Sequence, residues 1–305
     1  MMNDQKPLCG FLNVLKPPGM SSAAVVGLVR RLLDGEKVGH AGTLDPEAAG
    51  VLPVMVGKAA RLFDYMQDKE KAYVAEIAFG SSTDTQDAQG AVLETGENYP
   101  DEETLRNALK SFEGELMQQP PMFSALKKDG QCLYQLARKG QAVEIPARKV
   151  TVHSLALHAM TENHGALVAV RCSKGFYVRT LCQDIGTAVG CPAHMRFLLR
   201  TLSGVFSLDT ALTIEQLQAA KENGTLRALL LPPEIALAHL PVCDLPEGLE
   251  KALRNGGHLP WKRFAALHNT AAADGSPACI RLEGRVQAIA ERTGDQVKVR
   301  TWLGD

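Results

Sequence analysis

The chain is 305 residues long, about twice the usual size of one domain, so two domains or one large domain with an appendage is the expectation. Hydrophobic residues make up 45% and charged residues 22%, a globular composition that excludes a wholly disordered or fibrous chain. With 33 basic residues against 34 acidic, the net charge of −1 argues against coating nucleic acid by bulk charge and leaves open a local basic groove.

Taken in chain order, residues 22–33 read as a helix opened by Ser21 or Ser22, with Gly35 near its end. Residues 51–56 form a short apolar run ended by Gly57, and KAARLFDYM after it carries a helical pattern. Residues 73–79, 166–172, 286–290 and 297–303 read as strands. Asp101 caps a helix over DEETLRNALKSF, and Thr213 with Gln216 makes a capping-box pattern for IEQLQAA. Strands and helices mix without a regular βαβ beat, which favours an α+β fold with an antiparallel or mixed sheet. The proline-punctuated stretch LLLPPEIALAHLPVCDLP puts a boundary near 240, followed by a small β-rich module of 241–305.

Pro232, Pro233 and Pro241 break the apolar stretch 226–242, so no spanning helix is expected there. The first twenty residues lack a charged-then-apolar signal pattern, and a cytoplasmic location is expected. The seven cysteines form no C-x-x-C pair and stand at least nine residues apart, which reads as free buried thiols rather than disulfides or a metal cluster.

Charge is unevenly placed. Residues 81–118 carry a net −7, whereas 120–150 and 171–200 each carry a net +4. Folded onto one face, the basic blocks could hold a phosphate backbone; a solvated mixed surface is the equal alternative. Gly57-Lys58 is not a phosphate loop, because Ala59 replaces the required hydroxyl residue and no glycine stands five before Gly57. TDTQDAQG is not a calcium loop, because Asp84 and Asp87 are three apart. The lone His194 reads as structural.

GHAGTLDPEAAGVLPVMVG (39–57) sets glycines and prolines around one carboxylate, Asp45, on a tight loop before an apolar strand. Pro46 biases Asp45 away from helix, so the side chain is positioned rather than solvated; a simple turn cap is the alternative reading. KPPGMSS (16–22) is a Pro-Gly turn beside hydroxyls. KAYVAEIAFGSSTDTQDAQG places Tyr73 at the start of a strand, and RCSKGFYVRTLCQDIG places Tyr177 and Arg179 on the same side of a strand before a helix. Taken singly, the tyrosines read as packing and Arg179 as a surface charge.

As a set, KPPGMSS, GHAGTLDPEAAGVLPVMVGKAAR, KAYVAEIAFGSSTDTQDAQG, QQPPMFSALKKDGQCLYQLAR, CSKGFYVRTL and LLRTLSGVF closely resemble the TruB family of tRNA pseudouridine synthases, in order and across most of residues 11–206. The resemblance implies a pseudouridine synthase fold over 1–240 and a PUA-like RNA-binding domain over 241–305. It implies isomerisation of uridine 55 in the tRNA T loop, by a monomer, without cofactor, metal or obligate protein partner. Asp45 would be the nucleophile, at the sugar C1′ or the base C6, and Arg179 would hold it charged and oriented. Tyr73 would stack on the flipped uracil, with a suggested second role in removing the proton from carbon 5. His40 would fill the space the base leaves, Tyr177 and Leu198 would line the uracil pocket, and Lys127, Lys128 and Arg148 would meet the RNA backbone. The competing readings are an RNA-binding or tRNA-folding protein of the same fold with catalysis secondary or lost, and a family member acting on guided RNA in a larger complex.

Overall fold

The computed structural model describes residues 8–304 except 67–69, 125, 129, 138–142, 144, 258 and 266–273, and only the backbone of 127, 128, 132, 134 and 265. Its strands, in chain order, are β1 (Cys9–Lys16), β2 (Val38–His40), β3 (Ala49–Gly57), β4 (Lys71–Phe79), β5 (Ser81–Thr83), β6 (Val92–Thr95), β7 (Gly114–Gln118), β8 (Lys127–Lys128) and β9 (Gln131–Cys132). They continue as β10 (Arg148–Thr161), β11 (Gly165–Cys172), β12 (Ala193–Ser203), β13 (Phe206–Ser207), β14 (Val242–Asp244), β15 (Leu259–Pro260), β16 (Pro277–Leu282), β17 (Arg285–Thr293) and β18 (Gln296–Trp302). The α-helices are α1 (Ser22–Leu32), α2 (Glu102–Lys110), α3 (Leu133–Ala137), α4 (Val178–Ala188), α5 (Ile214–Glu222), α6 (Glu250–Arg254) and α7 (Trp261–Ala265).

The main sheet runs β1-β3-β12-β4-β11-β10-β7, with β2 paired to β3 and β13 to β12. Its ladders are antiparallel except for the short parallel contact of β12 with β3, so the mixed sheet expected from the irregular element order is what forms. β1 and β3 are buried on both faces. Leu12, Val14, Leu52, Val54 and Val56 pack against α1 and α5, while Phe11, Val51 and Met55 face a second cluster with Cys279, Val286, Ile289 and Leu303. A third cluster packs α4 and α2 on β4, β10, β11 and β12.

The helix starts follow their side chains. Ser21 Oγ accepts from Ala24 N, Asp101 Oδ1 accepts from Thr104 N, and Thr213 with Gln216 closes the reciprocal capping box. KAARLFDYM departs from the α-helix its pattern suggests. It becomes a 3₁₀ helix over Lys58–Tyr65, entered from Gly57 at φ +61° with no side-chain cap.

Beyond 240, a separate five-stranded sheet in the order β14-β16-β17-β18-β15 encloses its own core of Cys243, Leu253, Leu259, Phe264, Ile280 and Ala288. The module is docked as well as self-contained. Arg61 Nη1 donates to Trp302 O at 3.1 Å, Lys58 Nζ donates to Gly304 O, Thr301 Oγ1 bonds Tyr65 Oη at 3.3 Å, and Val286 N donates to Glu234 Oε1 at 2.8 Å. The described cysteines are free, and none of the described helices is long and apolar enough to cross a membrane.

One row of residues crosses the centre of the sheet: Gly50 on β3, Arg200 on β12, Tyr73 on β4 and Val170 on β11. Gly50 has φ +115°, and a Cβ there would stand 2.2 Å from Arg200 O and 2.6 Å from Arg200 N. Gly50→Ala must therefore pry β3 from β12 and is expected to cost ~2 kcal/mol or more. Gly39→Ala, whose added Cβ meets only Met55 Cε at 3.7 Å, is expected to change stability by less than ~1 kcal/mol. Urea denaturation of both variants measures the contrast.

Candidate active site

The loop between β2 and β3 carries Asp45, and many of its backbone groups are held. Ala41 N donates to Pro53 O, and Ala48 N donates to Asp45 O. The buried Ser22 hydroxyl donates to Leu44 O and accepts from Leu44 N, both at 2.9 Å. Lys16, fully buried, donates through Nζ to Pro17 O, Met20 O and Pro46 O, and burial pulls its pKa down to about 8. Arg200 donates through Nη2 to Gly42 O, through Nη1 to Thr43 O, and through Nε to Val51 O at 2.7 Å. A loop whose polar groups are paired this fully presents its side chain in one place.

Asp45 faces Arg179, with Oδ2 at 3.1 Å from Nε and Oδ1 at 3.5 Å from Nη2. The guanidinium also donates to Thr85 O at 3.1 Å and Phe123 O at 2.8 Å, and its Nη1 lies 3.6 Å from Asp87 Oδ2. Arg179 is only 5% exposed, so these partners replace its water. Burial pushes the Asp45 carboxyl above the usual carboxylate range, Arg179 pulls it back, and the like charge of Asp87 pushes it further up.

Tyr73 rises from β4 beside this pair and accepts a hydrogen bond from Arg200; burial raises its pKa and keeps the phenol protonated. Asp45, Tyr73, Arg179, Tyr177, Leu198 and Arg148 line one cleft of about 660 Å³, together with Ser124, Phe63 and Met66. Tyr177 is locked by a reciprocal pair with Gln118, its N–H donating to Oε1 and its carbonyl accepting from Nε2, and Arg148 Cζ lies 5.1 Å from the centre of its ring. His40 is not among the residues lining this cleft. It sits half-buried on β2, where Nδ1 accepts from Gly42 N, and burial lowers its pKa.

Two expectations are corrected here. Tyr177 and Arg179 do not share a strand. Gly175 at φ +82° turns the chain after β11, Tyr177 is the extended residue before α4, and Arg179 lies in the first helical turn. The helix forms because Val178, Leu181, Cys182 and Ile185, at helical spacing, bury against the sheet. Nor does the 171–200 block form a phosphate-gripping face. Arg179 and Arg200 are buried, Arg171 pairs with Glu70 and Arg196 with Glu76, each at 2.7 Å, while Lys174 lines the cleft with Arg148 and Lys149. Lys127 and Lys128 form the short β8, and their side chains, like Arg138 and Lys139, lie outside the described residues.

Sequence reasoning passed over Asp87, Arg200 and Lys16. TDTQDAQG offered the first as a failed calcium loop, and KPPGMSS carried the third in plain sight. Asp87→Asn removes the like charge and leaves Arg179 to Asp45, so the Asp45 carboxyl is expected to titrate at lower pH than in the parent. Carbon-13 NMR titration of labelled aspartate measures this; a shift to higher pH would contradict the arrangement.

Residues 30–178 match the family model described as TruB family pseudouridylate synthase (N terminal domain), and residues 179–238 match that of the tRNA pseudouridylate synthase B C-terminal domain. The chain is 48% identical over 251 residues to a protein named tRNA pseudouridine synthase B from Moorella thermoacetica, covering 81% of this chain and 82% of that one. It is 39% identical over 295 residues to a protein of the same name from Oceanobacillus iheyensis, covering 95% of each. Among solved structures it resembles a chain of a Cbf5-Nop10-Gar1 complex, with a TM-score of 0.71, 28% identity and coverage of 97% of this chain and 84% of that one. It likewise resembles a chain of an H/ACA RNP bound to a substrate RNA containing 2′-deoxyuridine, at a TM-score of 0.72, 27% identity and coverage of 97% and 85%. These matches span the Asp45 loop, the Tyr73 strand and the Arg179 helix alike, and with them the chain belongs to the TruB family of pseudouridylate synthases.

Proposed function

We propose that this enzyme isomerises uridine 55 in the T loop of tRNA, with Asp45 as the nucleophile. The observation that carries the reading is a carboxylate at the cleft surface, 40% exposed, ion-paired to an arginine that is itself shielded from water. Ionised, Asp45 can attack; partial exposure leaves its oxygens open to a substrate. Attack at the sugar C1′ and attack at the base C6 both fit a carboxylate in this position. The N-glycosidic bond breaks, the base rejoins the sugar through carbon 5, the bond to Asp45 breaks, the proton from carbon 5 leaves and N1 of the base gains one, with no change in redox state.

The target base must leave its stack to reach Asp45, and Tyr73, lining the same cleft as Leu198, offers the flipped uracil an aromatic face. A phenol held protonated serves as a stacking face and hydrogen-bond partner. To act as a base toward the carbon 5 proton it would first have to lose its own. His40, beside the cleft on β2, would fill the gap left in the RNA. Arg148, with Lys127 and Lys128, would meet the backbone; residues 1–240 would carry the chemistry, and 241–305 would form a PUA-like RNA-binding domain. The enzyme would act as a cytoplasmic monomer.

Asp45→Asn keeps the size of the side chain, and Arg179 retains Thr85 O, Phe123 O and Asp87. Melting temperature and tRNA affinity are expected to stay near those of the parent, while pseudouridine formation falls to background, a barrier increase of at least ~5 kcal/mol. Single-turnover tritium release from RNA labelled at uracil carbon 5 reads this out; appreciable turnover without deamidation back to Asp would remove Asp45 from the role. Neutralising Lys127, Lys128 and Arg148 together is expected to flatten the salt dependence of tRNA binding by about one unit of slope for each phosphate that goes without its cation. An unchanged slope would place them off the phosphates.

A further inference from the structure

Among the described residues, four buried side-chain atoms have no hydrogen-bond partner: Asn13 Oδ1, Ser124 Oγ, Arg148 Nε and Gln183 Oε1. A buried polar atom left unpaired is costly, and a native protein that keeps one usually has a use for it. Ser124 and Arg148 both line the Asp45 cleft, and both orphaned atoms can donate.

Their settings are fixed. Ser124 is 4% exposed and follows Phe123, whose carbonyl accepts from Arg179 Nη2 at 2.8 Å. The hydroxyl is thus one residue away from an anchor of the arginine that holds Asp45. The Arg148 guanidinium lies over the Tyr177 ring, and Tyr177 is itself locked by Gln118. Gly175 comes close to the same group: a Cβ there would stand 3.5 Å from Arg148 Cζ and 3.7 Å from Nε. Stacking occupies the face of a guanidinium and leaves its N–H groups directed in the plane, so the Nε edge is held ready rather than recruited from solvent.

The chemistry of the ligand follows. Two donors, one of them cationic, line the same cleft as Lys174 and as Lys149, which pairs with Glu115 at 2.6 Å, and the group they suit is an anion with several acceptor oxygens. A flipped uridine offers neutral acceptors on base and ribose; its anionic oxygens belong to the phosphodiesters on either side. We propose that Arg148 Nε and Ser124 Oγ clamp one phosphodiester adjacent to the target uridine. The clamp fixes the everted backbone so that the nucleoside meets Asp45 in one orientation. The inference rests on the RNA-modifying reading above and narrows it: Arg148 serves as a directional fork, and Ser124 joins it as a positioning residue.

The test uses the full chain and a T-arm stem-loop RNA, unmodified or carrying a single neutral methylphosphonate at either phosphodiester flanking the target uridine. Binding is followed by fluorescence anisotropy and conversion by single-turnover tritium release. Ser124→Ala and Arg148→Lys, which keeps the charge and loses the fork, are each expected to weaken binding about tenfold. One of the two methylphosphonates should weaken binding to the parent protein by a similar factor, and on that RNA either variant should lose no more than about another twofold. Losses that multiply, or a parent protein indifferent to both modified RNAs, would overturn the clamp. If Ser124→Ala melts far below the parent, Arg148→Lys carries the comparison alone. Failure of the parent protein to convert the unmodified RNA would count against the proposed reaction; the anisotropy series would still decide the clamp.

Discussion

Arg200 never meets water, and the site is built around that fact. It is 1% exposed, and removing a guanidinium from solvent costs several kcal/mol unless its donors are used. The donors go to Gly42 O and Thr43 O in the Asp45 loop, to Val51 O at the start of β3, and to the Tyr73 hydroxyl on β4. One side chain therefore ties the Asp45 loop, the strand after it and Tyr73 to a single point. Gly50 has to be glycine because the backbone of this same residue lies against it. A lysine at 200 would bring the charge without the fork, and could not span three carbonyls fixed in different directions.

Beside that anchor, the electrostatics of Asp45 are a compromise. Burial and Asp87 disfavour its charge, while Arg179 favours it. Because Arg179 is shared, at 3.1 Å from Asp45 and 3.6 Å from Asp87, neither carboxylate has sole use of the guanidinium. A carboxylate locked into an exclusive bidentate pair would have its oxygens fully occupied. Sharing keeps Asp45 oriented and leaves its oxygens free to act as the proposed nucleophile.

The parts of this arrangement legible in sequence were those with local signatures. Helix starts were readable because Ser21, Asp101 and Thr213 cap them through their own side chains. Asp45 was readable because glycines and Pro46 crowd it onto a loop before an apolar run. The start of α4 was not, since Tyr177 offers no side-chain cap and Phe-Tyr-Val imitates a strand; the turn at Gly175 and burial against the sheet decide it. Taken singly, Arg179 read as a surface charge, and Arg200 counted only toward a basic block, because a count of residues carries no information on burial. Only the register that sets Arg200 between Gly50 and Tyr73 shows that one of these arginines is an internal strut.

The relation of the C-terminal module to the cleft is also invisible in composition. In a 3₁₀ helix, residues three apart lie one above the other, so Lys58–Tyr65 presents three edges. Ala59 and Leu62 enter the cluster shared with Cys279, Val286, Ile289 and Leu303. Lys58 and Arg61, on a second edge, bond Gly304 and Trp302, while Tyr65, on the edge of Ala59 and Leu62, bonds Thr301. Phe63, on the remaining edge, lines the cleft, as does Met66 just past the end of the helix, which also reaches the shared cluster. The two family models end at 238, yet this wall of the cleft is backed by residues 301–304. A module that looks like an appendage along the chain thus stands behind a wall of the Asp45 cleft. The short helix is one of its attachments there, beside the packing of Phe11, Val51 and Met55 on Cys279, Val286, Ile289 and Leu303 and the bond from Val286 N to Glu234.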